Sequence, residues 1–167
     1  MISKILIIVE GMTDIIFLRD YIKFLQKNCT INQEALSKNK YLEITVPEKN
    51  IEIKILMGGG YTAIVNLSKN ITSHIDVGYK VFVIQDADNQ NKENGGVNNR
   101  IEYLNKFKTE KGIDFSIFLF PNNKDDGDLE TLLLRIKNES KYNITHDCYI
   151  KYIECISKFS NQNFIHE

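Results

Sequence analysis

The sequence predicts an α/β fold, with a mainly parallel central sheet of about four strands flanked by helices. Three observations carry that prediction. Short strand-like segments rich in apolar residues recur along the chain: "KILIIV" (4–9), which ends in an unbroken apolar run, "IEIKILM" (51–57), "YKVFVIQ" (79–85) and "DFSIFLF" (114–120). Such runs suit strands buried on both faces of a parallel sheet. Between them lie segments with apolar residues at helical spacing, and alternation of the two implies right-handed crossovers. Finally, the unusual polar residues follow the ends of the runs, where open α/β sheets bind ligands.

Taken in order, the first run is followed by Met12 to Lys27, with Ile15, Leu18, Ile22 and Leu25 on one helical face and Thr13 or Asp14 as its cap. Residues 28–50 are polar and mixed; within them "YLEITV" (41–46) reads as a short strand paired with the run at 51–57. That run is broken by "GGG" at 58–60, and Tyr61 to Asp76 reads as one helix through Ile64, Leu67, Ile71 and Ile75. After 79–85 comes a polar loop, then a helix from Asn98 to Lys111 that Gly112 stops. The fourth strand ends at Pro121, and Leu129 to Lys137 is helical. Tyr149, Tyr152, Ile153 and Ile156 suggest one more helix. The expected division is a single α/β domain over 1–140 with a C-terminal helical extension of it over 141–167.

With 167 residues, 43% of them apolar, the chain can bury one core. A formal charge of −1 argues against a broad basic surface for nucleic acid, which draws on many Lys and Arg contacts, but leaves room for a local or metal-bridged phosphate contact. Cys29, Cys148 and Cys155 form no C-x-x-C pair, so zinc is not expected, and all three read as reduced thiols. No apolar run approaches the ~20 residues that span a bilayer. The apolar run of "MISKILIIVEG" ends at Glu10 without a cleavage site. A cytoplasmic protein without membrane contact is the expectation.

The chemistry gathers at strand ends. Asp86 and Asp88 follow the third main run, one residue apart, and both reach one crevice if the backbone turns at the small Ala87. Glu10 follows the first run. Carboxylates suit a hard cation such as Mg²⁺, which takes the rest of its shell from water and substrate phosphate. Three of them together repel one another and raise a pKa unless a cation neutralises them. A glutamate so raised can exchange a proton with a nucleophile or leaving group. The bland reading is that Asp favours turns after strands. Gly58, Gly59 and Gly60 present backbone N–H groups either to a phosphate or simply to a tight turn; they lack the Lys and Ser/Thr of a P-loop. In "NNKDDGDLETLL", Asp128 reads as a helix cap and Glu130 as a dipole-stabilising residue or an extra metal ligand. His74, His146 and His166 read as structural or exposed.

The ordered pair "IIVEGMTDIIFL" (7–18) and "VFVIQDADN" (81–89) resembles the TOPRIM domain, shared by topoisomerases, bacterial primases, OLD-family and recombination-repair proteins. The resemblance covers roughly residues 3–137. With "GGG" and "FLFPNNKDDGDLETLL" (118–133), the chain looks closer still to small stand-alone TOPRIM-like bacterial proteins related to OLD-type nucleases. The resemblance implies a Rossmann-like, four-stranded parallel sheet. It implies Glu10 as general acid/base, Asp86 and Asp88 as ligands of Mg²⁺ (or Mn²⁺), and Asp14 and Glu130 as further acidic positions for a second metal. No ATPase, topoisomerase tyrosine domain or primase zinc module is evident in the chain, so a partner protein or ATPase subunit, or a homodimer, enters the expectation.

Three functions compete. The first is a Mg²⁺-dependent phosphodiester hydrolase acting on DNA or RNA. The second keeps the fold without catalysis, as a nucleic-acid-binding or protein-interaction module in repair or defence. The third is a phosphatase with Asp86 as nucleophile, as in haloacid-dehalogenase-like enzymes; there Asp-x-Asp follows the first strand, whereas here it follows a later one.

Overall fold

A computed structural model of the chain describes residues 2–32, 41–139 and 151. The run at the N-terminus becomes β1 (Ser3–Val9), whose last four residues are buried, as an unbroken apolar run requires. It lies in the middle of a sheet. On one side it pairs in parallel with β4 (Ile51–Met57), on the other with β5 (Tyr79–Asp86), which in turn pairs in parallel with β6 (Ser116–Phe120). These are the four strands expected from the apolar runs.

The sheet has six strands, not four. β3 (Tyr41–Val46) pairs antiparallel with β4, and β2 (Thr30–Asn32) antiparallel with β3, giving the order β2-β3-β4-β1-β5-β6. The sheet is therefore mostly parallel, with an antiparallel edge. The reason for the difference is local. β3 alternates, burying Leu42, Ile44 and Val46 while Glu43 and Thr45 take the other face, and β2 is three residues long with no buried member. Neither gives an unbroken apolar run.

Helices cover the two faces unequally. α1 (Met12–Leu25) packs Ile15 and Leu18 against Ile7, Val9, Leu42, Ile44, Ile53 and Ile55. The other face, with Leu6, Ile8, Val81 and Val83, is covered by α2 (Ala63–Asn66), α3 (Ser68–Asp76) and α4 (Val97–Lys111). The single helix expected over 61–76 is thus two, parted at Leu67. Asn66 directs its side-chain amide to the Gly58 carbonyl at 2.8 Å; Asn and Ser compete with helical hydrogen bonding in this way. At the carboxyl end of β1, the following helix goes to one face, while the helices after β4 and β5 go to the opposite face. That divergence opens the crevice in which α/β sheets hold ligands.

By compactness the chain divides into Met1–Leu129 and Glu130–Glu167. α5 (Leu129–Glu139) begins at that boundary. The expected extension over 141–167 and the helix near 149–156 lie outside the described residues, apart from Lys151, which is helical. Cys29 is a free thiol; Cys148 and Cys155 also lie outside the described residues. Among the described residues no helix is long and apolar enough to cross a membrane.

Candidate functional site

The crevice is built from chain turns at the ends of β1, β4, β5 and β6. After Val9 the chain passes Glu10 and turns at Gly11, which caps α1 in extended backbone conformation. The cap is therefore Gly11, not Thr13 or Asp14. Asp14 stands at the third helical position and is buried, and its Oδ2 accepts the Gly11 N–H at 2.9 Å. A carboxylate there satisfies a donor that the helix leaves without an internal partner.

Glu10 is held from two directions. Its carbonyl accepts the Gly59 and Gly60 N–H groups at 3.0 and 3.2 Å, while the Gly58 N–H goes to the Val9 carbonyl at 3.0 Å. The three glycine amides weighed as a phosphate cradle are thus engaged by the end of β1, which accounts for "GGG" as a tight turn. Glycine is required there for two reasons. Gly59 and Gly60 adopt φ of +78° and +76°, and a Cβ on Gly58 would come within 2.4 Å of Ala63 Cα. The Glu10 side chain points across to β5, where Oε1 accepts the Asp86 N–H at 3.3 Å.

Asp86 is the last residue of β5 and half-buried. Its Oδ1 accepts the Leu129 N–H at 3.0 Å. The turn that separates it from Asp88 falls at Asp88, not Ala87: Asp88 has φ +59°, a left-handed conformation that Asp tolerates better than most residues. Ala87 instead continues the sheet, giving its N–H to the Phe120 carbonyl at 3.1 Å, and is fully buried in the core. Beyond the turn Asp88 exchanges backbone hydrogen bonds with Gly127. Its carboxylate meets Lys92 Nζ through Oδ1 at 2.6 Å and Arg100 Nη2 through Oδ2 at 2.8 Å. Asp126, from the acidic loop after β6, accepts the Val97 N–H at 2.9 Å and so caps α4. Glu130 belongs to the second compact unit, where it is exposed in the first turn of α5.

The structure therefore brings Glu10, Asp14, Asp86 and Asp88 within electrostatic reach of one another. Burial pushes the Asp86 carboxyl up to about 7, against the pull of the Leu129 N–H, and Asp14, Glu10 and Asp88 add to the rise. Burial also raises Glu10; the Arg100 charge and the Asp86 N–H oppose it, while Asp88 and Asp14 reinforce it. Sequence reasoning missed Arg100, which is 3% exposed and lies in the first turns of α4. A signal existed: the chain has 18 Lys but only three Arg, and Arg100 opens the helix that follows Asp-x-Asp.

Among the described residues no group of three or more His, Cys, Asp or Glu side chains is arranged to hold a metal ion. A closed protein cage is not what these residues form. Glu10 and Asp86 do offer the hard oxygen donors of an open Mg²⁺ site, which needs only one or two carboxylates and takes water and phosphate for the rest. Asp88 fits less directly, because both its oxygens already meet cations. Two grooves of about 560 and 580 Å³ open elsewhere in the first unit, and none of the four carboxylates lines them.

No curated protein matches the sequence. A crystal structure of hypothetical protein PH0156 from Pyrococcus horikoshii OT3 is similar in fold, with a TM-score of 0.60 at 20% identity, over 95% of this chain and 75% of that one. The model of the family described as "Protein of unknown function (DUF3226)" matches residues 4–166, nearly the full length, and the chain belongs to that family.

Proposed function

We propose that the protein is a Mg²⁺-dependent phosphodiester hydrolase of TOPRIM type, acting on DNA or RNA in the cytoplasm. The observation that carries this reading is the packing of Glu10 against Asp86 at the strand ends where the helix directions diverge. At that edge burial, then the Asp14, Glu10 and Asp88 charges, raise the proton affinity of Asp86, while burial, Asp88 and Asp14 raise that of Glu10; a cation would relieve this crowding. Asp86 would hold Mg²⁺ (or Mn²⁺), with Asp88 joining where it parts from Lys92, and Glu10, whose carboxylate meets the Asp86 N–H, would move the proton. When bound, the metal polarises the phosphoryl oxygen and lowers the pKa of the attacking water. Glu10 would take the proton of that water as the new P–O bond forms and return it to the leaving oxygen as the old P–O bond breaks. Asp14 keeps the turn before α1 in place, which fixes Glu10.

A second reading has its own support. Arg100 and Lys92 already neutralise Asp88, as they would in a binding or protein-interaction module that needs no metal. Nicking of supercoiled plasmid and of a labelled single strand separates the two. The hydrolase cuts with Mg²⁺ or Mn²⁺, not with chelator, and Asp86→Asn lowers the rate by ~10²-fold or more, the scale of losing one group that meets the transition state. A folded Asp86→Asn protein that cuts as fast as the unaltered protein defeats the hydrolase reading.

A further inference from the structure

Arg100 is a buried cation whose donors are only partly used. Its Nη2 meets Asp88, but Nε and Nη1, both buried, have no hydrogen-bond partner among the described residues. Leaving a buried donor unmade costs ~1–3 kcal/mol, and folded proteins seldom do so. The guanidinium lies under the Tyr61 ring, 5.0 Å from its centroid, and Tyr61 meets the edge of Tyr103. Beside it, Gln85 is 1% exposed; its side-chain amide donates to the Tyr61 carbonyl at 3.2 Å, and its Oε1 is buried without a partner among the described residues. The two residues with unmade polar groups thus both meet Tyr61, Arg100 at its ring and Gln85 at its carbonyl, and the Arg100 charge reaches Glu10 at the end of β1.

We propose that Arg100 is the anion-binding residue of this site, donating from one of its unmade nitrogens, Nε or Nη1, to a non-bridging phosphate oxygen, with Tyr61 as the cover that moves to admit it. The proposal deepens the hydrolase reading by naming the group that grips the phosphate. Guanidinium donors match phosphate oxygens in geometry and charge, and stacking beneath an aromatic ring holds the plane in place. Asp88 then acts as the positioning residue, holding Nη2 and so fixing the guanidinium while a remaining donor meets the ligand. Tyr61 can serve as a cover because it is 38% exposed and follows Gly59 and Gly60, on either of which a Cβ would meet nothing within 4 Å. Rotation of the Tyr61 side chain alone uncovers the guanidinium and leaves the Gly59 and Gly60 hydrogen bonds to the Glu10 carbonyl in place.

The chain has no Trp, so Tyr61→Trp introduces a sole indole at the cover. The probe is deoxythymidine 5′-monophosphate, which carries a phosphate but no phosphodiester to cut. It is titrated with Mg²⁺ and, separately, with excess chelator, and calorimetry of the protein with Tyr61 retained runs alongside. We expect a saturable emission change, weakened at least tenfold by Arg100→Gln. Arg100→Lys is expected to weaken binding similarly, because an ammonium lacks the planar guanidinium whose separate nitrogens reach Asp88 and the phosphate at once; it keeps the charge beside Asp88 and so covers the case in which Arg100→Gln fails to fold. A folded Arg100 variant that binds the mononucleotide as tightly as its parent overturns the proposal. So does absence of binding by the parent in both buffers. Plasmid nicking measured on the same proteins separates the two readings. Arg100-dependent binding without nicking keeps the anion site and refutes the hydrolase; nicking with Arg100-independent binding does the reverse.

Discussion

Asp86 and Asp88 are one residue apart in sequence and in different electrostatic worlds. At the Asp86 corner, carboxylates crowd together: Glu10 bonds the Asp86 amide, and Asp14 adds its charge from behind. At the Asp88 corner, one carboxylate meets two cations, the buried Arg100 and the exposed Lys92. The divide is a single backbone torsion. β5 runs through Asp86, and the left-handed turn at Asp88 hands its carboxylate to α4 instead of to the sheet edge. One Asp-x-Asp motif thus supplies a corner where carboxylates crowd and a corner where one carboxylate is neutralised.

The comparison breaks most visibly at Arg100. Arg100→Met removes the buried cation and leaves Asp88, 17% exposed, with only Lys92. Removing one partner of a buried ion pair costs ~3–5 kcal/mol; the remaining lysine and the partial exposure of Asp88 place the expected loss at ~3 kcal/mol. Urea unfolding measures it, and Asp88→Asn combined with Arg100→Met should recover part of the loss. A loss below ~1 kcal/mol, well short of the penalty for an uncompensated buried charge, would mean that Arg100 is not what neutralises that corner.

The Asp86 corner should answer in the opposite sense. Its carboxyl titrates near 3.8 in the unfolded chain and near 7 in the folded one. Between those values the folded chain holds a proton that the unfolded chain has released, so stability falls as pH rises through the window, and the deficit is complete above it. Asparagine has no charge to lose. With chelator present, Asp86→Asn should change the melting temperature little near pH 4 and raise it relative to the unaltered protein above pH 7. A gain of ~3 °C corresponds to about one kcal/mol for a chain of this size. Melting curves at pH 4.5 and pH 8 decide it; equal shifts at both would show that crowding is not felt at Asp86.

The legible part of this architecture is the part in which one residue type repeats. An unbroken apolar run marks β1, whose last four residues are buried, while β4, β5 and β6 show as short segments dense in β-branched and aromatic residues even though β5 buries alternate residues. The same logic places Glu10 and Asp86 at one edge, since parallel strands end together. β3 is legible too, since "YLEITV" is the strand Tyr41–Val46 and pairs with β4 as expected, whereas the three residues of β2 make too short a signal. The split at Leu67 and the turn at Asp88 depend on partners distant in sequence, the Gly58 carbonyl for one and Gly127 for the other. Arg100 is hidden because a single arginine on a polar helix reads as a solvated charge. Only the packing of α4 against the strand end shows that it is buried.

The smallest expected effect is at Lys92, and it sharpens the comparison most cleanly because it shares Asp88 with Arg100. The Lys92 side chain is 63% exposed, and its 2.6 Å contact with Asp88 is shorter than that of Arg100 at 2.8 Å. If distance set the worth of an ion pair, Lys92 would matter more. Solvent screening and the entropy of holding a long side chain reduce exposed pairs to near nothing, whereas a buried partner leaves an uncompensated charge when it is removed. Lys92→Ala should therefore melt with the unaltered protein at ~0.15 M salt, where exposed charges are already screened beyond ~8 Å. It should also leave mononucleotide binding intact. A clear destabilisation by Lys92→Ala, with Arg100→Met mild, would reverse the ranking and make the exposed lysine the counterion that matters to Asp88.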